Sequence, residues 1–170
     1  IPTLNEDKNL PQLLNNLKNF KNILLVDGGS NDGTIDICKK KKINLIKSRL
    51  GRGHQMFIGA KRTKSEWLLF IHADSILPQD WHISIRDFIK KSNQNDVGWF
   101  FLKFNKISLW ANIISHWANI RSIVFKLPFG DQGLLINRKY YFQIEGHPDI
   151  PIMEDIALVR KINNKNLLPI

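Results

Sequence analysis

Several carboxylates in this sequence sit just beyond short apolar runs, where side chains can meet a ligand. Asp74 follows Trp67-Leu68-Leu69-Phe70-Ile71. An ionised group so near a buried strand is costly unless the strand has reached a polar site. One carboxylate together with ligand phosphates is a common way to hold Mg²⁺ or Mn²⁺, and such a metal would offset charge on a diphosphate leaving group. His72 is either a second metal ligand or a strand-end histidine, and Asp74 could instead open an Asx turn before Pro78. Glu154-Asp155 precede the apolar pattern Ile156-Ala157-Leu158-Val159. Two acids at a helix start suit the helix dipole. They also suit a general base that takes the proton of an attacking hydroxyl.

Three loops carry further candidates. Asp27-Gly28-Gly29-Ser30-Asn31-Asp32-Gly33 has glycines that allow positive φ and close approach of a ligand to the backbone. Asp27, at the end of Ile23-Leu24-Leu25-Val26, is placed to accept hydrogen bonds from a base or ribose hydroxyl. The plainer reading is a tight turn in which Asp32 or Ser30 caps the next helix. The loop is neither a dinucleotide fingerprint nor a Walker loop. Gly51-Arg52-Gly53 offers Arg52 as a phosphate contact. Gly130-Asp131-Gln132-Gly133 is a polar island suited to an acceptor pocket.

The elements that must position these residues are legible from apolar spacing. Leu10, Leu13, Leu14 and Leu17 predict an amphipathic helix over 6–19, with Pro11 tolerated in its first turn. Residues 23–26 form a strand, 34–42 a helix and 43–47 a strand. A helix runs from the Gly51–Gly53 turn to residue 64. Residues 67–71 are a strand, 80–91 a helix and 97–104 a strand. Alternation of this kind argues for one α/β domain, a sandwich around a mostly parallel sheet, with the loops after the strands gathered on one edge. Asn5-Glu6, Asp27–Asp32, Arg49–His54 and His72–Ser75 converge there.

Composition narrows the class. The chain has 170 residues, 43% hydrophobic and 24% charged, as ordinary globular domains have. Ile1-Pro2-Thr3-Leu4 reads as the end of a strand and residues 166–170 stop inside an apolar segment, so a piece clipped at both ends is expected. Cys38 is the sole cysteine; it reads as a small core residue in a reducing compartment, and the expected location is the cytoplasm. The formal charge is +10, which suits nucleic acid, anionic lipid or phosphorylated substrates. The run Lys39–Lys42 reads as a solvated helix end.

In order and spacing, Pro2-Thr3-Leu4-Asn5-Glu6, Val26–Thr34, Ile71-His72-Ala73-Asp74-Ser75, Phe129–Gly133 and Met153-Glu154-Asp155 resemble the motifs of family 2 glycosyltransferases. Within that family the chain looks most like the bacterial subgroup associated with radical-SAM and selenodomain proteins, sometimes linked to arsenosugar biosynthesis. The resemblance implies a GT-A fold, the Rossmann-like three-layer sandwich of nucleotide-diphospho-sugar transferases. It implies transfer of a sugar from a nucleoside-diphosphate sugar to an acceptor hydroxyl with inversion. By it, Glu6, Asp27, Gly29, Arg52 and Asp74 would bind the donor. Asp74, with His72, would hold Mg²⁺ or Mn²⁺; Asp155 would be the base, supported by Glu154. Asp131, Gln132 and Trp117 would line the acceptor site. His72 departs from the family's D-x-D motif, whose first acid it replaces. The acceptor would be a small molecule or lipid-linked.

Residues 107–125 are rich in Trp and Ile at helical spacing. They read either as a helix packed on the sheet or as a surface helix in peripheral contact with the inner membrane face. Trp110 or Trp117 could stack on an acceptor, whereas Trp81 and Trp99 read as core. Two rival classes remain. A sugar nucleotidyltransferase should carry a basic Gly-rich loop where Asn5-Glu6 stand. A basic nucleic-acid-binding protein should show a recognisable module, and none is present; nucleic acid is not an expected partner.

Overall fold

The computed structural model describes residues 1–20, 22–104 and 109–170. It has two sheets. In the first, β2 (Leu24–Asp27) lies between β1 (Pro2–Thr3) and β3 (Asn44–Lys47), all parallel. α1 (Leu10–Asn16) covers it with Leu10, Leu13 and Leu14, while Leu17 at the helix end is buried too. Cys38 of α2 (Thr34–Lys40) enters the same core, with Trp81. Each leucine so buried contributes about 1.5–3 kcal/mol relative to exposure. The helix expected over 6–19 is shorter because a polar loop captures the preceding amides. Glu6 N–H donates to Thr34 Oγ1 and Asp7 N–H to Asp32 Oδ2.

The second sheet is mixed, which is consistent with the expected α/β sandwich, since most strand pairings are parallel. Its order is β4 (Trp67–Phe70), β6 (Leu134–Asn137), β5 (Val97–Trp99), β7 (Leu167–Pro169). β6 runs antiparallel to both its neighbours, and β5 pairs with β7 in parallel. α3 (Arg52–Arg62) precedes β4, and α4 (Trp81–Lys91) links β4 to β5. The chain then leaves through α5 (Leu109–Val124) and returns between β4 and β5. The strand expected over 97–104 stops at Trp99 because Asn119 of α5 takes both the N–H and the C=O of Leu102. α6 (Arg138–Gln143) and α7 (Glu154–Val159) complete this half, whose core includes Trp99, Tyr141, Ile136 and Leu158.

α5 is the element whose packing is inverted. Among its described side chains the buried ones are Ser115, Ala118 and Ser122, while Trp110, Ile114, Trp117 and Val124 stand in solvent. Packing of its large apolar side chains on the sheet, one of the two readings of 107–125, is therefore not what holds it. The start of that segment lies outside the described residues.

Candidate active site

Four backbone amides and two hydroxyls stitch the loops after β1 and β2 together. Asp27 is fully buried, and its Oδ2 accepts N–H bonds from Gly29 and Ser30, each at 3.0 Å. Ser30 Oγ donates to Asp27 Oδ1 and accepts from Asn5 N–H. Asn31 N–H donates to Asn5 Oδ1. Asp32 Oδ1 accepts Thr34 N–H, the first amide of α2, from one residue before the N-cap, Gly33, and no side chain caps the helix from the N-cap position itself. Gly29 has φ +105° with nothing within 4 Å of a Cβ, so it combines a glycine-only backbone with open space on the ligand side. Glu6 is half-buried and accepts from Asn9 Nδ2. Beneath the loop, buried Gln55 donates to Thr3 O and Val26 O, closing the ends of β1 and β2.

The second group of candidates meets at the end of β4. His72 is half-buried, and its imidazole is held below the usual histidine pKa, first by desolvation and then by Arg52. Asp74, Asp131 and Asp155 pull the other way, so four charged side chains surround one ring. A neutral imidazole at neutral pH can accept a hydrogen bond or ligate a metal. Asp131 reaches solvent at one edge. Desolvation by the surrounding protein raises its carboxyl pKa; His72 and Arg121 oppose the shift and Asp155 adds to it.

Asp155 is held by two amides. Its Oδ2 accepts Gly130 N–H at 2.5 Å and its Oδ1 accepts Ile156 N–H at 2.8 Å. Each oxygen retains a lone pair. Glu154 is buried, with Oε1 3.6 Å from Arg52 Nε and no hydrogen-bond partner among the described residues. The residue before it, Met153, has φ 63°, a left-handed conformation unusual for a side chain of its size. The start of α7 and the start of α3 touch. A Cβ on Gly53 would lie 2.2 Å from Pro148 O and 3.0 Å from Glu154 Cβ. Arg52 thus projects from a joint between the two helices.

Gln132 is not an open acceptor contact. It is 2% exposed, and its Oε1 accepts from Ser122 Oγ (2.7 Å), Phe129 N–H (3.1 Å) and Arg121 Nη2 (3.3 Å). Its Nε2 donates to Phe100 O. Every one of these bonds is internal, so the side chain shapes the 3₁₀ turn Gly130–Gln132 that carries Asp131. Trp117 is likewise not brought to the site: it lies 66% exposed on the outer face of α5. A cleft of about 260 Å³ runs from Asp74 and Asp131 to Phe101, Lys103 and Phe104.

A divalent cation fits this donor set in one way. No preformed cluster of three or more His, Cys, Asp or Glu ligands occurs among the described residues. Asp74 is exposed and its carboxylate makes no hydrogen bond among them, which leaves its oxygens available beside the neutral His72. One or two protein ligands, completed by diphosphate and water, is the arrangement Mg²⁺ commonly takes.

Sequence reasoning missed Arg121, whose guanidinium stacks 3.2 Å from the Phe129 ring centroid. It also missed the buried pair behind the site. Tyr141 Oη lies 2.9 Å from His147 Nδ1 and accepts His147 N–H at 3.0 Å. No local spacing marks this pair, although Gly146-His147-Pro148 stands out as a turn with an ionisable residue inside it.

Residues 1–151 match the family model described as glycosyl transferase family 2, and the chain belongs to that family. An uncharacterized protein of Methanocaldococcus jannaschii is 42% identical over 55 residues, which are 31% of this chain and 23% of that protein. Among solved structures, S. aureus TarS superposes with TM-score 0.75 at 22% identity, over 99% of this chain and 56% of that one. Glucosyl-3-phosphoglycerate synthase from Mycobacterium tuberculosis, in complex with Mn²⁺, UDP-glucose and phosphoglyceric acid, superposes with TM-score 0.71 at 13% identity. That match covers 99% of this chain and 66% of the synthase. The chain thus spans about a quarter of that curated relative and just over half of the TarS chain. These likenesses carry the GT-A fold.

Proposed function

We infer that this chain is the catalytic domain of a glycosyltransferase that moves a sugar from a nucleoside-diphosphate donor to an acceptor hydroxyl, with inversion at the anomeric carbon. The observation that carries this reading is the gathering of Arg52, Asp74, Asp131 and Asp155 around His72, with Arg52 borne by α3, whose Gln55 also closes β1 and β2 beneath the Asp27 loop. The resemblance in motif order extends it to the bacterial radical-SAM and selenodomain-associated subgroup, a narrower assignment than family membership.

The geometry supports the following roles. The Asp27 loop, rigid through its own hydrogen bonds, offers the backbone around Gly29 and the Glu6 side chain to the nucleoside. Arg52 is exposed enough to leave Glu154 and meet a phosphate, a charge-assisted contact of the strong kind. Asp74, with His72, would hold Mg²⁺ or Mn²⁺, which when bound supplies positive charge to the diphosphate. The synthase crystallised with Mn²⁺ and UDP-glucose makes a uridine donor the first to test.

Asp155 is the base. Its two amide partners aim the carboxylate and leave lone pairs free, so it can take the acceptor proton as the hydroxyl attacks the face opposite the diphosphate. Asp131 shares the cleft and orients the acceptor, which lies against Phe101 and Phe104 and is either a small molecule or a lipid-linked one. No protein acid is needed at the leaving group, unlike in glycoside hydrolysis.

Calorimetric titration with UDP, GDP and dTDP, each with and without Mn²⁺, tests the donor half. Metal-enhanced binding of one of them is the expected result. Asp155→Asn should then abolish transfer while donor affinity changes little. Equal loss of binding and turnover would remove Asp155 from the role of base.

A further inference from the structure

The inverted packing of α5 identifies a second surface, separate from the donor site. Soluble helices bury their large apolar side chains and expose small or polar ones. α5 does the reverse. Ser122 is fully buried, and Ser115 and Ala118 are 9% and 8% exposed, whereas Trp110, Trp117 and Val124 are 72%, 66% and 64% exposed. Trp110, Ile114, Trp117 and Val124 recur at helical spacing on one outer face, with Arg121 standing between the last two. Phe125 prolongs it at 67% exposure. Exposed apolar surface this continuous marks an interaction site rather than ordinary surface.

We propose that this face docks the protein in the plane of an anionic lipid bilayer. Charge selects the bilayer over other apolar partners. Between Asp96 and Asp131 the sequence has no acidic residue, and it carries Lys103, Lys106, Arg121 and Lys126. Arg121 is turned inward to Gln132, while Lys103 is exposed and Lys126 half-exposed. No carboxylate of this segment therefore opposes a negative surface, and the whole chain adds a formal +10. Two exposed tryptophans seven residues apart are the side chains best suited to the headgroup boundary, where an apolar ring and a polar N–H are both accommodated. With 16 residues α5 is about 24 Å long, and no helix among the described residues is long and apolar enough to cross a membrane. The helix lies on the bilayer; it does not span it.

Docking has a consequence for the cleft. Ser122, on the inner side of α5, and Arg121, whose guanidinium curls back over Phe129, hold Gln132 and with it the turn bearing Asp131. The Phe101–Phe104 wall of the cleft is tied to the same helix through the Leu102 backbone and Asn119, so a bilayer against α5 holds the lipid next to the element that builds this wall. An acceptor hydroxyl carried by a membrane lipid is then presented to the catalytic carboxylates.

Vesicle binding tests the proposal without any transfer assay, so it stands or falls separately from the donor chemistry. The chain is sedimented with phosphatidylcholine vesicles containing or lacking phosphatidylglycerol, at low and high salt. Binding should require the anionic lipid and weaken as salt rises. Brominated acyl chains should quench tryptophan fluorescence. Replacing both tryptophans, Trp110→Ser with Trp117→Ser, should weaken binding about tenfold or more. The same variant should lose the quenching and keep its thermal unfolding curve, because both side chains are already in water. Absence of sedimentation with anionic vesicles would overturn the proposal. So would a concentration-dependent dimer in light scattering that the same substitutions abolish, since a second copy would then be what covers the face.

Discussion

The backbone N–H of Gly130 lies 2.5 Å from Asp155 Oδ2, tying the turn after α5 to the first residues of α7 across 25 positions of sequence. A Cβ at position 130 would stand 2.8 Å from His72 Nε2 and 3.1 Å from Asp155 Oδ2. Glycine is needed here for proximity, not for an unusual φ. The same contact that crowds the position aligns the proposed base.

Gly130→Ala should therefore displace Asp155 or His72 while the donor loop around Asp27 stays intact. Misplacement of a reacting group by about 1 Å can cost on the order of 10²-fold in rate. Turnover is expected to fall by about that factor with donor affinity nearly unchanged. Equal turnover in the variant would separate the Gly130 contact from catalysis.

Gly53→Ala probes the joint between α3 and α7. The nearest atom to the added methyl is a backbone carbonyl, Pro148 O, which has little freedom to retreat. Overpacking of this sort costs about 1–3 kcal/mol. Urea unfolding should show a loss in that range, and donor affinity should fall with it because Arg52 is the adjoining residue. A variant as stable as the parent would mean that the two helices can separate freely.

The parts of this arrangement legible in sequence are those encoded locally. Leu10, Leu13 and Leu14 announce α1 by their spacing, and Asp32 takes the first amide of α2 from two residues away. β6 was not legible as a strand, although Leu134-Leu135-Ile136 is an apolar run. Its partners, β4 and β5, are distant in sequence, and its direction depends on the excursion through α5. Gln132 shows the same limit at the site. Its residue type suits a ligand contact, but Ser122, Phe129 and Arg121 converge on its oxygen only in the folded chain.

That convergence makes Gln132→Ala a structural substitution. Removal of the amide leaves the Phe129 N–H without its acceptor, at about 1–3 kcal/mol, while Ser122 Oγ keeps Ala118 O at 2.8 Å. Denaturant unfolding should register that loss. In the fraction that remains folded, the Michaelis constant for the acceptor should change less than the turnover, which depends on where the turn holds Asp131. An effect confined to the acceptor Michaelis constant, with full stability, would return Gln132 to the acceptor site.

His147 sets a pH dependence whose sign can be worked out. Tyr141 Oη accepts His147 N–H and is therefore free to donate its own proton to Nδ1, which requires a neutral ring. Desolvation takes the His147 pKa down to about 3 from an ordinary 6.5, outweighing the nearby Asp155, which raises it. Below pH 6.5 the unfolded chain binds a proton that the folded chain refuses, so stability is fully present above 6.5 and declines as pH falls towards 3. One group with such a shift contributes a slope of about 1.4 kcal/mol per pH unit inside that window. Urea midpoints of the parent and of His147→Gln, measured from pH 7 to pH 4, should converge as the pH falls, because the variant has no ring to protonate. Tyr141→Phe should destabilise at every pH in the series, since it leaves Nδ1 buried without a donor. Parallel parent and His147→Gln curves would show that His147 takes up its proton without unfolding, and that the pocket behind Asp155 admits charge.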